Sequence, residues 1–85
     1  MQTLQNLTLI TITKNRPESL LQMLKYYDES GVRFVICDAS KKKIKKKKLN
    51  FNINIGYHHL PNYSWEDRLI FAIKRINTKY VAFNH

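Results

Sequence analysis

The stretch Leu7–Leu24, LTLITITKNRPESLLQML, constrains the fold more than any other part of the chain. Leu9, Ile10, Thr11, Ile12 and Thr13 are apolar or β-branched, which suits a buried, pleated strand. Lys14, Asn15 and Arg16 break that pattern. Pro17 follows, and proline is favoured at the first helical position, where its missing N–H is not needed. Glu18 in the first turn complements the positive end of the helix dipole. Leu20, Leu21, Leu24 and Tyr27 recur at helical spacing. A strand over Leu7–Thr13 therefore runs through a polar turn into a helix from Pro17 to about Ser30. Gly31 is placed to end that helix in the left-handed conformation. In open α/β sheets, ligands bind outside the carboxyl ends of strands. Thr13 to Arg16 occupy such a point.

The remaining segments follow the same logic. Met1 to Asn6 reads as a short, loosely ordered lead-in, and Val32–Cys37 as a second strand. A helix between two such strands predicts a right-handed βαβ unit with parallel strands. Asn52–His58 reads as a third strand near a sheet edge, with Ile53, Ile55 and Tyr57 alternating with Asn54, Gly56 and His58. After the turn Leu60-Pro61-Asn62-Tyr63, Ser64 opens a second helix, with Asp67 in a capping-box-like position. Its apolar face is expected at Leu69, Ile70, Ala72, Ile73 and Ile76, with Arg68, Lys74 and Arg75 projecting elsewhere. Tyr80–Phe83 begins a fourth strand. The order is β-α-β-(charged segment)-β-α-β, an α/β class of Rossmann-like three-layer form with a mainly parallel sheet.

Charge is distributed unevenly. The formal net charge is +9, from fifteen Lys and Arg against six Asp and Glu. Seven of the lysines lie in one run, Lys41–Lys48, and without them the balance falls to +2. The basicity thus belongs to one segment, read as an exposed loop or frayed helix. Eighty-five residues suit one domain. No apolar run approaches the length of a membrane span. The N-terminus lacks the basic start and apolar core of a signal peptide. Cys37 is the only cysteine, which excludes an internal disulfide and suits a reducing, cytoplasmic setting.

The segments LTLITITKNRPESLLQMLKYY, VICDAS, YSWEDRLIFAI and KYVAF together resemble the N-terminal half of a glycosyltransferase family 2-type domain with the GT-A fold. The resemblance covers about Leu7 to His85 and is most specific at TKNRP. It implies a single, partial nucleotide-binding domain over residues 1–85, with 41–48 an exposed lysine-rich segment. In that family the turn after the first strand, and an aspartate after the second, hold the nucleotide of a nucleotide-sugar donor. By position these are Thr13, Asn15 and Arg16, together with Asp38. Arg68 matches a basic position that can meet the diphosphate. The chemistry is coherent, since a carboxylate accepts a base N–H and a diphosphate favours the forked donors of arginine. The chain departs from the pattern at Ile12, where many relatives have proline. It also stops at Phe83-Asn84-His85, at or before the Asp-rich motif that holds a divalent cation, Mn or Mg, in the complete domain. The catalytic base lies later still. The resemblance therefore implies a truncated portion of a sugar transferase that binds a nucleotide-sugar donor weakly, has no catalytic residue or metal ligand of its own, and does not catalyse transfer alone.

Simpler roles compete at each position. Asp38 can cap the segment after the second strand, Asn15 and Arg16 can be turn and helix-entry residues, and Arg68 can be a solvated helix residue. Tyr63 and Trp65 suit packing at the helix entrance, or stacking on a base or sugar. His58 and His59 face opposite sides of a strand, so they do not form a metal pair. The alternative function is a small basic module that contacts nucleic acid or other polyanions through Lys41–Lys48, or a degenerate structural relative.

Overall fold

Strand and helix boundaries follow from where side chains can be buried on two faces of one sheet. The computed structural model describes residues 5–84. The order is β1 (Leu7–Thr13), α1 (Pro17–Tyr26), β2 (Arg33–Asp38), a 3₁₀ turn (Lys46–Leu49), β3 (Asn54–His59), α2 (Trp65–Ile73) and β4 (Tyr80–Asn84). The four strands are all parallel, in the spatial order β3-β2-β1-β4. The chain thus steps outward twice from β1, then returns across the sheet to place β4 on its other side. That reversal creates a topological switch point between β1 and β4, the place where open α/β sheets form ligand crevices. The β-α-β-(charged segment)-β-α-β arrangement expected from the sequence is present.

Each sheet face has its own core, as the period-2 alternation of strands requires. On one face Leu9, Phe34 and Ile36 pack with Leu20 and Leu24 of α1, Val32, and Ile44 from the lysine-rich segment. On the other, Ile10, Val35 and Cys37 pack with Ala72 of α2. The buried Cys37 thiol is pushed up to about 11, by burial against the opposing pull of Arg75 and Arg68. Among the described residues, no helix is long and apolar enough to cross a membrane.

Three expectations need correction. First, α1 ends at Tyr26, earlier than Ser30. Tyr27 turns inward, its ring edge-on to Phe34 at 5.6 Å. Glu29 and Gly31 then take left-handed conformations, with φ of 66° and 84°. This turn brings Asp28 to accept the Asn52 N–H at 2.6 Å, and Glu29 to accept from the Asn52 side chain. Asn52 is therefore held as a lead-in, and β3 starts two residues later than expected. Second, α2 is rotated relative to its expected face. Arg68 and Ala72 are buried, whereas Ile70 and Ile73 are about half exposed. Third, the lysine-rich segment is not simply a solvated loop, because Ile44 enters the core. Part of the expected loose lead-in lies outside the described residues, but the Asn6 carbonyl accepts the Tyr80 N–H at 2.9 Å and ties the start of β1 to β4.

Leu24 is fully buried at the centre of the α1 face. Leu24→Ala is expected to lower stability by about 2–4 kcal/mol through lost transfer energy and a residual cavity. Urea denaturation checks this, as does the rate at which the Cys37 thiol becomes accessible to an aromatic disulfide reagent.

Candidate functional site at the sheet switch point

The carboxyl ends of β1, β2 and β3 line up, with Thr13 opposite Asp38 and Asp38 opposite His59. Each strand therefore delivers its last residue to one edge. From there the chain forms two adjoining structures, a buried hydrogen-bond network and an open cleft.

The network is centred on Asp38, which is 1% exposed. Its Oδ1 accepts the backbone N–H and the hydroxyl of Ser40, and its Oδ2 accepts the Tyr57 hydroxyl at 2.6 Å. Ser40 Oγ in turn accepts the Asn15 N–H. Asn15 has φ 57°, a left-handed conformation that asparagine tolerates better than most residues. The turn after β1 is thus pinned to the end of β2 through one serine hydroxyl. His59 Nε2 lies 2.6 Å from the Ser40 carbonyl, and the Leu60 N–H donates to the Asp38 carbonyl at 2.7 Å. Tyr57 also accepts the Ile44 N–H at 3.1 Å. Burial, together with donation to Asp38, pushes the Tyr57 phenol up to about 12. On the opposite face, burial and the nearby Arg75 charge lower the His58 pKa, and its ring lies edge-on to Phe71 at 4.9 Å. The two adjacent histidines therefore do separate jobs.

The cleft lies on the other side of the turn, at the switch point, with a volume of about 490 Å³. Its lining includes Thr11 and Thr13 of β1, Lys14 and Arg16 of the turn, and Trp65 and Arg68 of α2. Among the described residues, no aspartate or glutamate lines it. Arg68 is 7% exposed, and its guanidinium donates to the Thr13 carbonyl at 2.8 Å and to the Ser64 carbonyl at 3.3 Å. Those two bonds leave three of its five N–H donors for other acceptors. Thr11 is 5% exposed, and its enclosed hydroxyl has no hydrogen-bond partner among the described residues. An unmatched hydroxyl is costly inside a protein. The first turn of α1 has no side-chain cap at Arg16, and Arg16 and Ser19 line the same cleft. Ser64, by contrast, caps α2 by accepting the Asp67 N–H at 3.1 Å.

The sequence-derived residues thus divide into two groups. Thr13, Arg16 and Arg68 line the cleft, whereas Asn15 and Asp38 belong to the buried network beside it. Arg68 is not a solvated helix residue. Its burial follows from the rotation of α2, which spacing alone did not reveal. Nothing in the sequence distinguishes Thr11 from an ordinary strand residue, and nothing local shows that Ser40 and Tyr57 converge on Asp38. Trp65 lines the cleft and is more than half exposed. Among the described residues, no cluster of three or more His, Cys, Asp or Glu is arranged to hold a metal ion. The cleft lining, cationic with hydroxyls, does not fit the divalent cation that the resemblance implies for a complete domain, because the carboxylates and imidazoles that hold such an ion are lacking there among the described residues.

The raised Tyr57 pKa links the network to stability. The neutral phenol is favoured in the folded state, so its contribution is complete below the ordinary value of 10 and is lost as pH rises through about 12. The wild-type protein is expected to lose stability across that interval, measured by chemical denaturation. Tyr57→Phe is expected to be less stable at pH 7 and to lack this share of the alkaline loss. A search for related sequences among protein-family models and curated proteins, and for related folds among solved structures, returned no match.

Proposed function

We propose that this chain is the nucleotide-sugar-binding portion of a glycosyltransferase, which in complete form moves a sugar from a nucleotide donor to an acceptor. The observation that carries this reading is the switch-point cleft, where three cationic side chains and an unpartnered buried hydroxyl converge with no acid among the lining residues. A diphosphate is the natural occupant of such a place, since it brings two or three negative charges and many acceptors. Lys14 and Arg16 meet it from the turn, and Arg68 meets it from below with donors not committed to carbonyls. Thr11 donates to an inner oxygen. Trp65 offers its face to the base or the sugar.

Asn15 and Asp38 take a supporting part in this scheme. Through Ser40 they set the turn that presents Lys14 and Arg16. Direct reading of a base by Asp38 requires Tyr57 to yield Oδ2, because both carboxylate oxygens already accept hydrogen bonds. Selectivity among bases is accordingly weaker than selectivity for the diphosphate. A second reading, non-specific contact with polyanions, draws on the exposure of all seven lysines in Lys41–Lys48. It would appear as affinity that falls steeply with salt.

Calorimetric titration of the full chain with uridine, guanosine and adenosine diphosphates tests the main reading. Weak but saturable binding is expected, reduced about tenfold by Lys14→Ala/Arg16→Ala through loss of charge-assisted bonds. Thr11→Val is expected to reduce affinity without reducing stability, because it removes a hydroxyl that has no protein partner. Failure of every diphosphate to bind the folded protein, or binding indifferent to these substitutions, overturns the reading.

A further inference from the structure

The segment between β2 and β3 carries seven lysines in eight residues. Like charges so close together repel, and nothing local holds such a run in one shape. Here it is held from beneath. Ile44 is 7% exposed in the α1-face core, and its N–H donates to the Tyr57 hydroxyl at 3.1 Å. Tyr57 is itself anchored by Asp38. Further along, the Lys48 N–H bonds to the Lys45 carbonyl at 2.9 Å, and Leu49 packs against the same core. The segment consequently arches beside β3 and borders an open pocket of about 710 Å³. Ile44, Leu49, Ile55 and Tyr57 form its floor, and Lys43, Lys46 and Lys47 stand at its rim. Among the described residues, no acidic residue lines it and none lines both it and the switch-point cleft.

We propose that this pocket binds an amphipathic anion, a ligand with an apolar chain or ring and a single phosphate, sulfate or carboxylate head. The volume falls within the range of small-molecule sites, which are largely apolar with a few placed polar groups. The apolar body covers Leu49 and Ile55, and the head pairs with the three rim lysines. An extended polyanion fits less well. It would engage the lysines as a set and leave the apolar floor in water, whereas only three of the seven lysines border the hollow. The two binding regions are separate, so this site stands independently of the nucleotide reading.

Calorimetry of the full chain with decyl phosphate, kept below its micelle-forming concentration, tests the proposal. One saturable site is expected. Lys43→Ser/Lys46→Ser/Lys47→Ser should weaken binding about tenfold, the combined effect of three exposed ion pairs. Lys41→Ser/Lys42→Ser/Lys45→Ser removes the same charge away from the rim and should weaken it about twofold at most at physiological salt. Far-UV circular dichroism verifies that both variants are folded. Inorganic phosphate, the head without the tail, and decyltrimethylammonium, the tail with the opposite charge, should bind far more weakly. Equal losses in the two triple variants, or inorganic phosphate binding as tightly as decyl phosphate, overturns the proposal in favour of diffuse attraction. Adsorption to phosphatidic acid vesicles without binding of decyl phosphate overturns it in favour of a membrane surface.

Discussion

Where β1 ends, the Thr13 carbonyl accepts two hydrogen bonds, from the Ala39 N–H at 3.0 Å and from the Arg68 guanidinium at 2.8 Å. A carbonyl oxygen has two lone pairs, and both are used here by elements distant in sequence. The first bond carries the β1–β2 pairing beyond the last strand residues. The second brings the positive end of a long side chain from α2 under the turn that leads into α1. The switch-point cleft depends on this junction, because it spaces α2 from β1 and sets Arg68 at the cleft floor.

The Asp38 network adds a second constraint, on the shape of the turn rather than its position. Ser40 donates its hydroxyl to Asp38 while accepting the Asn15 N–H, so a buried carboxylate reaches the turn through one intermediary. On the other side, Tyr57 extends the network to the Ile44 N–H and so to the lysine-rich segment. One carboxylate therefore connects the turn at one cleft with the wall of a separate pocket. Such buried networks are worth more than isolated pairs when every member is satisfied.

Much of the fold was legible in the sequence. The β-branched run before Lys14, Pro17 at the start of α1, and Ser64 at the start of α2 are local signals whose physics operates within a few residues. The strand order was less accessible. The βαβ handedness rule places β2 beside β1, but the return of β4 to the far side of β1 depends on which sheet face α2 covers. The end of α1 is not legible locally, because its apolar spacing continues through Tyr27 while the contacts of Asp28 and Glu29 with Asn52 favour an early exit. The site was legible in part. The turn placed Thr13 and Arg16 at the end of β1, where they line the cleft, whereas the unpartnered Thr11 hydroxyl and the burial of Arg68 emerge only when two faces meet.

The sequence by itself determined the element types, the parallel character of the first unit and the confinement of positive charge to one segment. These follow from periodicity, capping and composition, which are short-range properties. Tertiary structure alone decided that Asp38 is enclosed by Ser40 and Tyr57, that Arg68 points inward, and that a lysine run curves over an apolar hollow. The physical reason is the same in each case. A polar or charged side chain becomes buried when distant groups supply its hydrogen bonds, and Ile44 draws its lysine neighbours into shape because its burial outweighs their repulsion in screening solvent.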